Sequence, residues 1–160
     1  METIIYPNRI LILNLEEVRR RSMKIWQGVL PNQKDWKPDE EAMTCIELVR
    51  HVLEGEYLYM LMLKSGGSLV SEESPWTGRA YKNIGEEVEF AEGYRKEFLD
   101  MIRSYTAEEL SKMKVNRADK GYVRSGEDFI LRMAYHESVH SGQMLSYLRM
   151  MKVPRPNIWD

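Results

Sequence analysis

Four long segments of this chain place apolar side chains three or four residues apart, and no segment alternates with a period of two over a useful length. The first spacing lines one face of a helix, whereas the second would line one face of a strand. The chain must therefore bury its apolar surface helix against helix. Four amphipathic helices joined by two long connections predict an all-α fold, a four-helix bundle.

The first segment runs from about Asn8 to Val29, with Leu11, Leu15, Val18, Ile25 and Val29 on one face and Ser22 in phase between them. Pro31 and Pro38 bracket a polar connection that should not be helical. The second segment starts near Thr44, which forms the pattern of a capping box with Glu47, and runs to about Lys64. Its expected seam is Leu48, His51, Gly55, Leu58 and Met62, with Val52 and Tyr59 beside it. Residues 65–84 read as a long loop of the kind that is often functional or mobile. Trp76 and Tyr81 within it either anchor the loop on the bundle or line a pocket.

The third segment spans roughly Glu86 to Tyr105, with Val88, Ala91, Tyr94, Phe98, Met101, Ile102 and Tyr105 as its stripe. Thr106 opens a short helix reaching about Met113. The polar stretch from Lys114 to Gly126 has room for a short extended piece around Tyr122-Val123. The last helix begins near Ser125 and runs to about Met151, ahead of Pro154. Its expected seam is Phe129, Met133, His136, His140, Gln143 or Met144, Tyr147 and Met151.

At 160 residues the chain is expected to form a single domain over 1–160 with a sizeable core. Its 25 acidic and 23 basic residues give a net charge of −2, so nothing points to nucleic acid. The basic run Arg19-Arg20-Arg21 reads as the solvated face of a helix. Cys45 is the sole cysteine, which excludes an intramolecular disulfide and suggests a reducing cytoplasm. Beside Ile46 and Leu48 it reads as a small buried hydrophobe. The eleven methionines, scattered at helical spacing, read as core filler. No apolar run is long enough for a transmembrane helix, so no membrane contact is expected. Met1 to Pro7 lacks the basic start and apolar stretch of a signal peptide.

The three histidines, His51, His136 and His140, all fall on expected seams, in two different helices. His136 and His140 are four residues apart and so share a helical face. Two readings stand: polar core residues satisfied separately, or joint ligands of one metal ion. Three imidazoles without a shared purpose would be costly to bury, and bundle cores are where facing helices build metal sites. Three neutral imidazoles would leave one coordination position for water or substrate. Imidazole alone does not choose among zinc, nickel, copper and iron. Glu47, one turn before His51, and Gln143, three residues after His140, are the weak catalytic or orienting candidates. Glu137 is explained equally well as a surface residue.

The segment His136-Glu137-Ser138-Val139-His140-Ser141-Gly142-Gln143, with Tyr147-Leu148-Arg149 after it, resembles the last-helix signature of the DinB-like (DinB/YfiT) superfamily. Glu47-Leu48-Val49-Arg50-His51, preceded by Trp36 and Pro38, resembles that family's second-helix segment. The resemblance implies a four-helix bundle with a long connection between the second and third helices. It also implies a metal triad of His51, His136 and His140 holding zinc or nickel, and a homodimer. Family members with assigned activity include transferases of low-molecular-weight thiols (bacillithiol, mycothiol or glutathione) and a thiol-dependent isomerase.

Three functions compete on this basis. The first is a metal-dependent thiol S-transferase acting on small electrophiles, with the thiol as co-substrate. Its site would lie near Leu48, Met133, Gln143 and Tyr147 under the 65–84 loop, with Arg50 and Lys64 meeting the thiol's carboxylates. The second is a metal-dependent hydrolase, for which Glu47 is the candidate base. The third is a non-catalytic, stress-related metal or small-molecule binding protein, which would have a closed site.

Overall fold

A computed structural model describes residues 7–71 and 73–160, so the reading of Met1 to Tyr6 falls outside the described residues. Helix α1 spans Pro7–Gln27, opening on a proline where the backbone N–H has no helical partner in any case. Helix α2 spans Cys45–Ser65. Its capping box is formed, with the Glu47 carboxylate accepting from the Thr44 N–H at 2.7 Å. Gly66, at φ 74°, ends it in the left-handed conformation that glycine adopts without strain. Helix α3 spans Ile84–Ser104 and short α4 spans Ala107–Lys112. An antiparallel hairpin follows, β1 over Lys114–Arg117 and β2 over Tyr122–Ser125, before α5 at Gly126–Met150. The piece around Tyr122-Val123 is thus the second strand of a hairpin whose four-residue arms are too short for alternation to register. Among the described residues, no helix is long and apolar enough to cross a membrane.

The four long helices form a bundle in which α1 lies beside α3 and α5, and α2 beside the same two. Cross-helix pairs give their directions. Arg19 meets Glu137 and Ser22 meets Ser141, so α1 and α5 run the same way. Arg50 meets Glu87 and Tyr57 meets Tyr94, so α2 and α3 also run the same way. The two pairs oppose each other, as His51 with His136 and Tyr59 with Phe129 require. Because α2 and α3 are parallel, the chain must return the full length of α2, about 30 Å, before α3 can begin. That return explains the long segment between Ser65 and Ile84. Trp76 pins it by packing among Tyr57, Phe90 and Tyr94. The Arg50 guanidinium pins it again by donating to the carbonyls of Arg79 and Ala80. Both large aromatics of the loop therefore sit over α2 and α3: Trp76 is 3% exposed, and Tyr81 stacks under Arg50.

The core is divided. One apolar cluster gathers Leu15, Met60, Phe98, Phe129, Ile130 and Met133; the other gathers Ile25, Trp26, Val49, Val52, Met144 and Leu148. Between them lies a polar layer to which every long helix contributes. Arg19 of α1 donates from Nε and Nη2 to Glu137 of α5 at 2.7 and 3.0 Å, and its Nη2 lies 3.4 Å from Glu56 of α2. Arg95 of α3 pairs with Glu56 and donates to the Leu15 carbonyl at 2.9 Å. The Ser22 and Ser141 hydroxyls meet at 2.8 Å. Burial works against the Arg19 charge, but the Glu56 and Glu137 carboxylates outweigh it and raise its pKa.

Two sequence expectations are corrected here. Arg19 and Glu137 are buried, at 8% and 1% exposure, and not solvated. The buried stripe of α2 is also turned by one residue from the expected seam, to Cys45, Val49, Val52, Glu56, Met60 and Leu63. On α5 the expected Phe129, Met133, Met144 and Tyr147 are buried, but the stripe widens to one side through Ala134, Glu137, Ser141 and Leu148. One residue is about 100° of helix rotation, which carries His51 off the core centre, and the widened α5 stripe leaves His136 and His140 at its margin, on the edge between α2 and α5. Cys45 is fully buried, as expected, and burial pushes its thiol up to about 11. Removing one side of a buried ion pair leaves an uncompensated charge. Arg19→Ala should therefore cost about 3–5 kcal/mol in urea unfolding. A loss under about 1 kcal/mol would show that the layer does not hold the helices together.

Candidate metal centre

His51 enters from the first half of α2, and His136 and His140 enter from successive turns of the oppositely directed α5. The three ring centroids lie 4.6 to 5.0 Å apart. One ring nitrogen from each residue falls within 4.8 Å of the others, an arrangement that could hold a metal ion. His51 Nε2 and His136 Nε2 face each other at 3.1 Å. Two nitrogens sharing a tetrahedral zinc at about 2 Å would lie roughly 3.3 Å apart, so this approach fits a shared ion closely. His51 is exposed and the other two are half-buried, so the group opens on solvent. Among the described residues no carboxylate or thiol joins the group.

The electrostatics favour the neutral form of His51 and His136, the form that binds metal. Burial lowers the His51 pKa, aided by His140 and opposed by the Glu54 carboxylate. Burial, then the His140 and His51 rings, push His136 down to about 4. His136 Nδ1 is buried without a hydrogen-bond partner. Its ring packs directly on α2 at Gly55, where a methyl group would stand 3.2 Å from Cε1 and 3.8 Å from Nδ1. Tyr59, one turn further along α2, lies beside the ring at 6.1 Å between centroids.

Gln143 lies where it can orient a ligand. Tyr147 Oη donates to the Met43 carbonyl at 3.1 Å and accepts from Gln143 Nε2 at 3.0 Å. That turns Gln143 Oε1 toward His140 Nδ1 at 2.9 Å, so Nδ1 is the donor and Nε2 keeps its lone pair. Glu47 is not available as a base in the same way, because its carboxylate closes the α2 cap. Leu48, Met133 and Tyr147 are buried and do not line an open cleft. Arg50 is buried and held by Glu87 at 2.5 and 2.9 Å, and Lys64 pairs with Glu97. Neither is free to meet a substrate carboxylate. The loop over 65–84 is anchored on α2 and α3 and away from the histidines. An apolar groove of about 530 Å³, lined by Met23, Trp26 and Val88, runs between α1 and α3 on the opposite side of the bundle.

Gly55, expected on the α2 seam, proves to be a close contact for a histidine ring, and Glu54 carries no motif that marks it. A glycine inside a helix costs about 1 kcal/mol relative to alanine, and that cost was the available signal of a close approach.

Comparison with known proteins agrees with this architecture. The family model described as the DinB superfamily matches residues 14–144. An uncharacterised Bacillus subtilis protein, YjoA, is 24% identical over 133 residues, covering 83% of each chain. The crystal structure of YjoA, a DinB-like protein, superposes with a TM-score of 0.69 at 20% identity, covering 92% of this chain and 96% of that one. YfiT from Bacillus subtilis, described as a probable metal-dependent hydrolase with an unusual four-helix bundle topology, superposes at 0.76 with 13% identity. That match covers 96% of this chain and 93% of YfiT.

Gly55→Ala separates stability from site geometry. It should leave the melting temperature unchanged or raised, since alanine favours helix by up to about 1 kcal/mol. It should weaken zinc affinity about 10- to 100-fold by displacing the His136 ring. Full affinity in a competition titration would mean that the close approach does not position the ligand.

Proposed function

This chain belongs to the DinB superfamily, and on that footing we propose that it is a divalent-metal protein that activates a small thiol for transfer to an electrophile. In this reading His51, His136 and His140 hold one zinc or nickel ion. The observation that carries it is the convergence of three imidazole nitrogens within 4.8 Å at a solvent-open edge, with no fourth ligand from the described residues. When bound, the ion would lower the pKa of a coordinated thiol or water and so supply a nucleophile near neutral pH.

The chain's own residues would do the rest. Gln143, held by Tyr147, keeps the hydrogen of His140 on Nδ1. Gly55 and Tyr59 fix the ring plane of His136. A thiol is the preferred nucleophile because it needs little help to ionise, and two of the carboxylates near the histidines in sequence are engaged. Glu47 closes a helix cap and Glu137 is held by Arg19. The sulfur would bond to the electrophilic carbon as the leaving group departs with its electron pair.

The second reading is a metal-dependent hydrolase. YfiT, a structural neighbour, is described in those terms, and Glu54 is a carboxylate whose charge reaches His51. A non-catalytic binding protein is disfavoured by the open edge at His51. We further propose that the protein is cytoplasmic and homodimeric. Leu131, Tyr135 and Val139 repeat every fourth residue along α5 as an exposed apolar ridge that a second copy could cover.

Elemental analysis of the purified chain should find about one equivalent of zinc or nickel per chain, absent from the triple histidine-to-alanine variant. The loaded protein should speed conjugation of glutathione or cysteine to 1-chloro-2,4-dinitrobenzene over the chelator-treated protein. Metal retained by the triple variant would remove the triad. Metal bound without any thiol conjugation, but with hydrolysis of activated esters, would transfer the assignment to the hydrolase.

A further inference from the structure

The arginines that reach into the bundle are almost all neutralised. Arg19 is taken by Glu137 and Glu56, Arg50 by Glu87, Arg95 by Glu56, Arg117 by Asp119 and Arg124 by Asp128. Arg132 is not. Among the described residues it makes no ion pair or hydrogen bond, and its Nε is buried without a partner. The guanidinium lies 4.7 Å from the ring centre of Tyr122, which steadies it without neutralising it. Asp128, one turn earlier on α5, is already held by Arg124 at 2.7 and 2.9 Å. Arg79 also lacks a carboxylate, but it stacks on Phe90 of α3, away from the histidines.

Position gives Arg132 its meaning. It lies one helical turn before His136, so the two side chains leave the same face of α5, roughly 5–6 Å apart at their Cβ atoms. A planar guanidinium with an unmet donor, one turn from a cluster of three imidazoles, is matched by a carboxylate, which it can engage through paired N–H groups. One guanidinium balances one negative charge, which favours a monoanion. We propose that Arg132 is the anion-recognition residue of this site, and that its small-molecule ligand carries a carboxylate a few bonds from the atom that reaches the metal. The inference rests on the metal reading above.

The test uses the full chain loaded with cobalt(II), whose spectrum reports the metal site by itself. 3-Mercaptopropionate and its uncharged amide, 3-mercaptopropionamide, are titrated separately while the thiolate-to-cobalt absorption is followed. The native protein should bind the carboxylate about 10- to 100-fold more tightly than the amide, as a charge-assisted hydrogen bond supplies. Arg132→Gln should remove that preference while still binding the amide, and Arg132→Lys should keep part of it. Equal affinities in the native protein, or a preference that survives Arg132→Gln, would overturn the assignment while leaving the metal site standing. No cobalt spectrum in the native protein would overturn both.

Discussion

The Arg19 guanidinium, caught between Glu137 and Glu56, is the contact on which the rest of the bundle depends. It ties α1 to α5 and α2, and Arg95 closes the layer from α3. Two arginines and two glutamates balance in charge, and the layer separates two apolar clusters. Such a buried network adds little net stability over a well-packed apolar layer, because desolvation consumes most of the attraction. What it fixes here is register. Apolar stripes can slide by a turn at modest cost, whereas sliding this layer would strand buried charges. Glu56 follows Gly55 and Glu137 follows His136 in sequence. The register that pairs the charges therefore also seats the His136 ring on the bare backbone of Gly55.

The candidate centre is a consequence of helix direction as much as of residue type. Since α2 and α3 run in parallel, α2 must meet α5 head to tail. That crossing brings residue 51 level with residues 136 and 140, and the long return segment is what makes it possible. Its anchors, Trp76 and the Arg50–Glu87 cluster, lie on the α2–α3 side, which leaves the α2–α5 edge uncovered by them. The histidines occupy this edge one residue away from the core stripe. Burial there lowers the pKa of His51 and His136, yet the group stays in reach of a small molecule.

Much of this was legible in the sequence. The four helices, the Thr44–Glu47 cap and the long connection follow from spacing and capping chemistry. The pairing of His136 with His140 on one face follows from their separation of four. The phase of α2 and the placement of the histidines differ from expectation, for one reason. Arg19, Glu56, Glu137 and Ser141 look like solvent-facing residues when each is read alone, since charged side chains are rarely buried without partners. Their burial turns the α2 stripe by one position and widens the α5 stripe, which moves the histidines from the expected seam to the edge. Their partners lie as far as 119 residues away in sequence, where no local pattern can reveal them. Arg50 and Lys64 were misplaced likewise, because Glu87 and Glu97 come from the next long helix. The Arg132 environment depends on Tyr122 of β2; the strand was expected, but its packing against α5 was not legible from local pattern.

X-ray absorption at the zinc edge of the zinc-loaded protein tests the central claim most directly, because outer-shell imidazole scattering counts histidine ligands. The register set by the buried charges predicts three imidazoles and one further light-atom ligand from solvent. A site with two imidazoles, or with a protein carboxylate or sulfur in the shell, would contradict it.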